Sequence, residues 1–239
     1  MNIRRGLFFL ATSILFFTNS CNRVSSVEDS VLFVNGAELN TAMLTPEGTQ
    51  LGNYFATVKN VTRNGDSLSA ILETRNFRFL LKDTNVYENR ISFSNGCLTL
   101  SMNDLAEYMV NENDDNKIIK ENPLKYPLKM SEGNVLPDAS VSVTIQDSFG
   151  LRVWTTRITK RRVEEVGSKK CIAGSWKCYK ITFNKKIYEN EGKGEKLMWE
   201  YNNVEWFSFD AGVIMSQTFY SYDDMGMAAK TELLSCKRQ

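Results

Sequence analysis

Residues 141–162 read VSVTIQDSFGLRVWTTRITKRR and contain the pattern that decides the fold. Val141, Val143 and Ile145 alternate with small polar residues, which is typical of a strand with one buried face. A glycine-containing turn at residues 147–150 follows, after which the alternation resumes. The segment therefore predicts an antiparallel hairpin.

The same signals recur on both sides of this hairpin. Asn64-Gly65 and Asn95-Gly96 are the strongest short hairpin-turn signals, and alternating segments flank them. Further predicted strands cover about residues 178–186, 196–209 and 213–220. Short strands with regular turns predict a mainly β fold, a single antiparallel sheet that curves around one core.

One short helix interrupts the predicted sheet. Apolar residues recur at helical spacing in residues 102–110, including Met102, Leu105 and Met109. Residues 111–122 are polar and charged, which indicates an exposed loop.

The N-terminus resembles an export signal that ends at a cysteine. Arg4 and Arg5 precede a short apolar run, and small residues lead to Cys21. This pattern predicts a lipoprotein signal peptide over residues 1–20, with lipid attached to Cys21. An ordinary secreted protein, in which Cys21 is a spare thiol, is the alternative. Residues 21–30 are then a tether, and residues 31–239 form one β-rich domain.

Lipidation at Cys21 would place the protein on a membrane. Two or more acyl chains, such as palmitate, give stable anchoring where one chain gives marginal binding. The residues directly behind Cys21 carry no acid until Glu28. Because acidic residues at this place mark surface export in many Bacteroidota lipoproteins, we expect an outer-membrane anchor with the domain facing the periplasm.

Composition excludes several function classes. The 29 Lys and Arg residues nearly balance the 28 Asp and Glu residues, so no electrostatic footprint for nucleic acid is present. The chain contains no His, which excludes Ser-His-Asp and Cys-His catalysis as usually built and also His-ligated metal sites. We therefore expect no enzyme, no cofactor and no metal site.

Four cysteines follow Cys21 in the chain. Cys171 and Cys178 flank a turn-like segment and could face each other on a hairpin, which would leave Cys97 to pair with Cys236. Disulfides are expected in an oxidising compartment. Buried unpaired thiols remain the alternative.

Aromatic residues cluster late in the sequence and could line a ligand groove. Core packing is the alternative for the same residues. The candidates for the groove are Trp199, Tyr201, Trp206, Phe207 and Phe219, accompanied by Phe209 and Tyr220.

Two smaller features complete the candidate sites. Asp66-Ser67-Leu68 resembles the acceptor of Bacteroidota O-glycosylation, which makes Ser67 a candidate modification site. Arg161-Arg162 beside Glu164-Glu165 indicates charge pairing on the surface.

A series of short motifs runs through the second half of the chain, about Asn95 to Leu234. The motifs include Asn95-Gly96, Pro123-Leu124-Lys125-Tyr126-Pro127-Leu128, Gly133-Asn134-Val135-Leu136-Pro137-Asp138-Ala139, Arg161-Arg162-Val163-Glu164, Ala173-Gly174-Ser175-Trp176-Lys177-Cys178-Tyr179-Lys180-Ile181, Glu205-Trp206, Gly212-Val213-Ile214 and Thr231-Glu232-Leu233. In these motifs the chain resembles the TapB-type lipoproteins, a Bacteroidota family without an assigned function. The resemblance implies a β-rich envelope lipoprotein, with a half-barrel sheet similar to lipoprotein-carrier proteins and no catalytic residues.

Three functions are consistent with these patterns. The first is a non-enzymatic lipoprotein that binds a hydrophobic ligand or a protein segment on its curved sheet. The second is a structural partner in an envelope assembly. The third is a hydrolase that uses two carboxylates alone, which would have to converge at about 5 to 9.5 Å.

Overall fold

The computed structural model describes residues 27–79, 83–107, 118–147, 150–221 and 226–238. Most of these residues lie in strands, as the sequence predicts. The described strands are β1 (Glu38–Leu44), β2 (Gln50–Asn64), β3 (Ser67–Arg78), β4 (Asp83–Ser94), β5 (Cys97–Leu100), β6 (Ile118–Asn122), β7 (Leu124–Pro127), β8 (Ala139–Asp147), β9 (Gly150–Cys171), β10 (Gly174–Asn190), β11 (Lys196–Ser208), β12 (Gly212–Tyr220) and β13 (Met227–Lys237).

All described strands belong to one antiparallel sheet that is nearly closed into a barrel. The spatial order is β6-β8-β9-β10-β11-β12-β13-β1-β2-β3-β4-β5-β7. The two edge strands, β6 and β7, follow each other in the chain and are separated by Pro123. β6 pairs with β8 and β7 pairs with β5, so this one stretch of chain forms the seam of the barrel.

The predicted hairpins are present, and the turn at residues 95–96 shows why. Asn95 and Gly96 both have positive φ, at 51° and 68°. A tight two-residue turn of this kind needs positive φ at both positions, and Asn and Gly tolerate it best. The predicted hairpin at residues 141–162 corresponds to β8 and β9, but β9 continues to Cys171.

One end of the barrel is closed by the start of the described chain. Two short 3-10 turns, Val27–Asp29 and Val31–Phe33, pack there with buried apolar side chains. The backbone N–H of Val31 donates to the carbonyl oxygen of Asp210 in the β11–β12 turn at 3.0 Å. We call this the closed end. Residues 27–30, predicted as part of the tether, therefore lie against the sheet.

The opposite end, where the β10–β11 turn lies, is the open end. Its wall is supported from inside by the helix α1 (Asn103–Glu107), which occupies part of the predicted range. Met102, just before α1, is 1% exposed and packs with Val141 and Val143 of β8. Residues 108–110 of the predicted helix lie outside the described residues.

The predicted loop at residues 111–122 is wrong at its end. Ile118–Asn122 form β6, because Ile119 can pack on the apolar cluster that includes Val141 and Val143, while the backbone pairs with β8. Residues 111–117 lie outside the described residues, as do Cys21 and the predicted signal peptide of residues 1–20. None of the helices within the described ranges has the length and apolar character needed to cross a membrane.

Candidate functional site

One row of side chains on β11 runs along the inner wall from the closed end to the open end. Phe207 is fully buried, and Glu205 and Asn203 are each 7% exposed. Tyr201 is partly exposed, and Trp199 is 44% exposed. The inner wall therefore changes along a single strand from a packed core to an accessible surface.

Four aromatic side chains form the accessible part of this wall. Trp154 of β9 stacks on Trp199 with ring centroids 6.1 Å apart and an interplanar angle of 15°. Tyr201 lies opposite Tyr220 of β12 in register, and their rings are 5.6 Å apart. We call Trp154, Trp199, Tyr201 and Tyr220 the mouth aromatics.

Polar side chains lie next to the mouth aromatics. Asn203 accepts a hydrogen bond through Oδ1 from the Thr218 hydroxyl at 2.9 Å. Lys185 of β10 is the register partner of Tyr201, and its Nζ lies 5.2 Å from the Tyr201 ring centroid. The wall thus combines aromatic faces with hydrogen-bonding groups.

Helix α1 brings a carboxylate towards the same lysine. The backbone N–H of Asp104 donates to Asn89 Oδ1 at 3.2 Å, which fixes the first turn of α1 against β4. Burial raises the pKa of Asp104, and attraction to Lys185 partly offsets the rise. Burial lowers the pKa of Lys185, and Asp104 opposes that shift. Titratable polar groups on this wall are a poor lining for a purely hydrocarbon ligand.

Below the mouth, a buried polar cluster forms the floor. The Tyr126 hydroxyl donates to Glu205 Oε1 at 3.0 Å, and its ring stacks on Phe207 with centroids 3.9 Å apart. The guanidinium carbon of Arg161 lies 4.8 Å from the Tyr126 ring centroid. We call Arg161, Tyr126 and Glu205 the floor cluster.

Arg161 joins the floor cluster to the seam. Its Nη1 donates to the carbonyl oxygens of Lys125 at 3.1 Å and Pro137 at 2.9 Å. Its Nε and Nη2 have no hydrogen-bond partner among the described residues. Burial raises the pKa of Glu205, although the positive charge of Arg161 opposes the rise.

The surface charge pairing predicted at residues 161–165 is wrong for Arg161. Its side chain is 0% exposed, because Lys160 has a positive φ of 56° and shifts the alternation of β9 at this point. Arg162 does face outwards, where its Nε lies 3.9 Å from a carboxylate oxygen of Glu164.

The predicted groove residues separate into three places. Trp199 and Tyr201 lie in the mouth, but Phe207 belongs to the core. Trp206 and Phe219 point to the outer face, because they occupy the opposite parity of their strands. The prediction of one groove is therefore wrong for these three. Trp154 was missed, although the alternation of residues 151–162 places it on the inner face.

Among the described residues, Cys97, Cys171 and Cys178 are free thiols. The expectation that Cys171 and Cys178 face each other is wrong, because Cys171 pairs with Gly174 and Cys178 pairs with Gly167. The two strands stay paired up to Cys171 and Gly174, so Cys178 lies further from the tip of the hairpin than Cys171 does. Burial raises the pKa of Cys178 to about 12. Cys97 and Cys236 are partly exposed thiols.

Ser67 is exposed at the first position of β3 and borders a shallow depression of about 230 Å³ with Thr62 and Ser92. Its glycosylation stays a prediction. Within the described ranges, no group of three or more acidic or cysteine side chains is placed to hold a metal ion.

Comparisons with known proteins agree with this architecture. A family model described as DUF3108-like matches residues 34–233. A crystal structure described as a candidate lipoprotein from Parabacteroides distasonis has a TM-score of 0.69 at 18% identity, covering 86% of this chain and 96% of that one. A comparison with curated proteins found no match.

A second crystal structure, described as a candidate exported protein with a YmcC-like fold from Bacteroides fragilis, has a TM-score of 0.66 at 14% identity. The alignment covers 85% of this chain and 96% of that one. At these identities the similarity shows the fold, which is shared over nearly the whole length of both neighbours.

Proposed function

The chain belongs to the DUF3108-like family, and from this premise we propose that it is an exported, lipid-anchored envelope protein that binds and does not catalyse. The anchor is Cys21, behind a signal peptide of residues 1–20, on the periplasm-facing side of the outer membrane. The N-terminal sequence pattern supports this proposal. So do the descriptions of the two structural neighbours as exported protein and lipoprotein. The narrower assignment to the TapB-type lipoproteins rests on the quoted motifs.

The binding surface is the mouth of the barrel. The observation that carries this proposal is the group of mouth aromatics, which face inwards yet stay accessible, with Trp199 44% exposed. Large accessible aromatic side chains beside a few polar groups are typical of ligand sites. Asp104 and Lys185 on the same wall favour a ligand that is partly apolar and also offers hydrogen-bonding groups. An extended protein segment has both properties.

A site-specific photocrosslinker tests the binding surface. We would place p-benzoylphenylalanine at Trp199 in the full-length protein in cells, and at Phe219 as the matched outer-face control. Irradiation should produce adducts from position 199 and few from position 219. Equal labelling at both positions, or no adduct at position 199, would contradict the proposal. Incorporation of labelled palmitate, compared with Cys21→Ser, tests the anchor separately.

A second candidate function, a structural partner in an envelope assembly, is favoured by a different surface. The outer face of β2 to β4 carries the exposed apolar side chains of Phe55, Phe77, Phe79 and Val86, which are 44%, 37%, 43% and 51% exposed. Exposed apolar patches often mark protein contacts. The same crosslinker at Phe77 should then capture a defined protein. Irradiation that gives no protein adduct from position 77 would count against this function.

A further inference from the structure

The tip of the β9–β10 hairpin is basic and carries an exposed apolar side chain. Residues 168–180 contain four lysines and no acidic residue. At the tip, Ile172 is 69% exposed. Lys170 and Lys177 are exposed on both strands behind it. An apolar tip between lysines is the composition expected of a segment that rests in a lipid–water interface.

The tip is held near the closed end by contacts with β13. The backbone N–H of Ile172 donates to a carboxylate oxygen of Glu232 at 3.1 Å. The backbone N–H of Ala173 donates to the carbonyl oxygen of Leu233 at 3.1 Å. Beyond the end of β13, Arg238 donates to the carbonyl oxygen of Asp29. The tip and the first described residues therefore lie at the same end of the barrel.

The proposed anchor keeps this end close to a membrane. Six residue steps lead from Cys21 to Val27. A chain of that length spans at most about 20 Å. If Cys21 carries the lipid, the closed end faces the lipid surface and the mouth faces away from it.

Trp206 extends the same surface on the outer face of β11. Its ring lies 4.3 Å from Lys169 Nζ. A depression of about 270 Å³ lies beside it, lined among others by Lys180 and Glu165. Tryptophan and lysine side chains are both enriched where proteins meet the headgroup region.

We propose that the tip of the β9–β10 hairpin docks on the anionic phospholipid surface that holds the lipid anchor. This inference rests on the proposed lipidation of Cys21. Ile172 enters the interface, and Lys170 and Lys177 contact lipid phosphates. Docking through a second point fixes the orientation of the barrel, so that its mouth opens away from the membrane.

Vesicle sedimentation tests the docking surface without the anchor. The processed chain carrying Cys21→Ser, which has no lipid, is mixed with vesicles of phosphatidylglycerol and phosphatidylethanolamine, or of phosphatidylcholine alone. We expect clear binding to the anionic vesicles. Each lysine near an anionic surface changes binding roughly fivefold. K170E/K177E should therefore weaken binding at least about tenfold.

Matched variants keep the test specific. K193E/K196E makes the same charge change in the β10–β11 turn at the open end and should leave binding within about twofold. Ile172→Asn should weaken binding, whereas Val135→Asn, at a site that is 76% exposed, should not. Equal losses for both lysine pairs, or no binding by the parent chain, would overturn the proposal. Circular dichroism establishes that each variant is folded.

The two proposals fail separately. Loss of palmitate labelling at Cys21 bears on the anchor and leaves vesicle sedimentation of the unlipidated chain unaffected. Adducts formed from position 199 report binding at the mouth alone. They should therefore persist in K170E/K177E if the hairpin tip serves only to dock on the membrane.

Discussion

The closed and open halves of the barrel differ although the same strands form both. On β11, Phe207 is fully buried while Trp199, on the same face of the same strand, is 44% exposed. The difference arises from what covers each end. Residues 27–37 and the floor cluster fill the closed half, whereas α1 supports part of the wall in the open half. Burial along this sheet is therefore set by covering segments and less by the composition of the strands.

The largest expected effect on stability comes from comparing two arginines of β9, one buried and one exposed. Arg161→Ala removes the cation of the floor cluster and the donor to the carbonyl oxygens of Lys125 in the seam and of Pro137. We expect it to lower the free energy of unfolding by about 4 kcal/mol. Arg157, whose Nη2 binds both carboxylate oxygens of Glu195 at 2.6 and 2.8 Å, is the control. Its side chain is 41% exposed, so Arg157→Ala should cost less than about 1 kcal/mol.

Urea denaturation followed by circular dichroism measures both variants. Similar decreases in the free energy of unfolding for Arg161→Ala and Arg157→Ala would show that the floor cluster does not stabilise the closed half. The two halves would then differ in burial without differing in stability.

The next effect concerns the core end of the β11 row. Phe207→Ala leaves a cavity beside Tyr126 and removes the stacked ring, so we expect a loss of about 3 kcal/mol. The control is Phe219→Ala on β12, because this partly exposed ring points to the outer face and leaves no enclosed cavity. Thermal unfolding should show a clearly larger decrease in melting temperature for Phe207→Ala. An equal decrease would contradict the assignment of Phe207 to the core.

The sequence predicted the architecture better than the site. Alternation and the Asn-Gly turns are local signals, and they predicted the mainly β sheet and its hairpins. The mouth was harder to predict, because a β-bulge changes which of the alternating residues of a strand face the inside of the barrel. Lys160 has positive φ, which turns Arg161 into the core. The charge of Arg161 had predicted a position on the surface. No local signal reports that residues 27–33 cover one end.

The floor cluster should also give the protein a distinct pH dependence. Burial raises the pKa of Glu205, so the folded chain keeps this proton at pH values where the unfolded chain has released it. The stability from this group is fully present below the unfolded pKa, near 4.5, and decreases as the pH rises through the raised folded pKa. Glu205→Gln removes this dependence while an amide oxygen can still accept from Tyr126.

Urea midpoints between about pH 4 and 8 measure this effect. The stability of Glu205→Gln relative to the parent chain should increase as the pH rises. Asp104→Asn is the matched variant in the open half, because burial raises the pKa of Asp104 in the same direction. A difference between Glu205→Gln and the parent chain that does not change with pH would show that Glu205 is not desolvated in the folded state.

The smallest effect on stability belongs to the mouth. Trp199→Ala removes a ring that stacks on Trp154 but leaves no enclosed cavity, so it should cost about 0.5–1 kcal/mol. Its effect on binding should be large, since the accessible ring is the part of the wall that a ligand meets first. The fluorescence of 8-anilinonaphthalene-1-sulfonate, which has apolar rings and an anionic group, measures this: Trp199→Ala should lower its enhancement several-fold, and Phe219→Ala should leave it unchanged. If the probe responds equally to both variants, the mouth is no more receptive than the outer face, and the open half differs from the closed half in exposure alone.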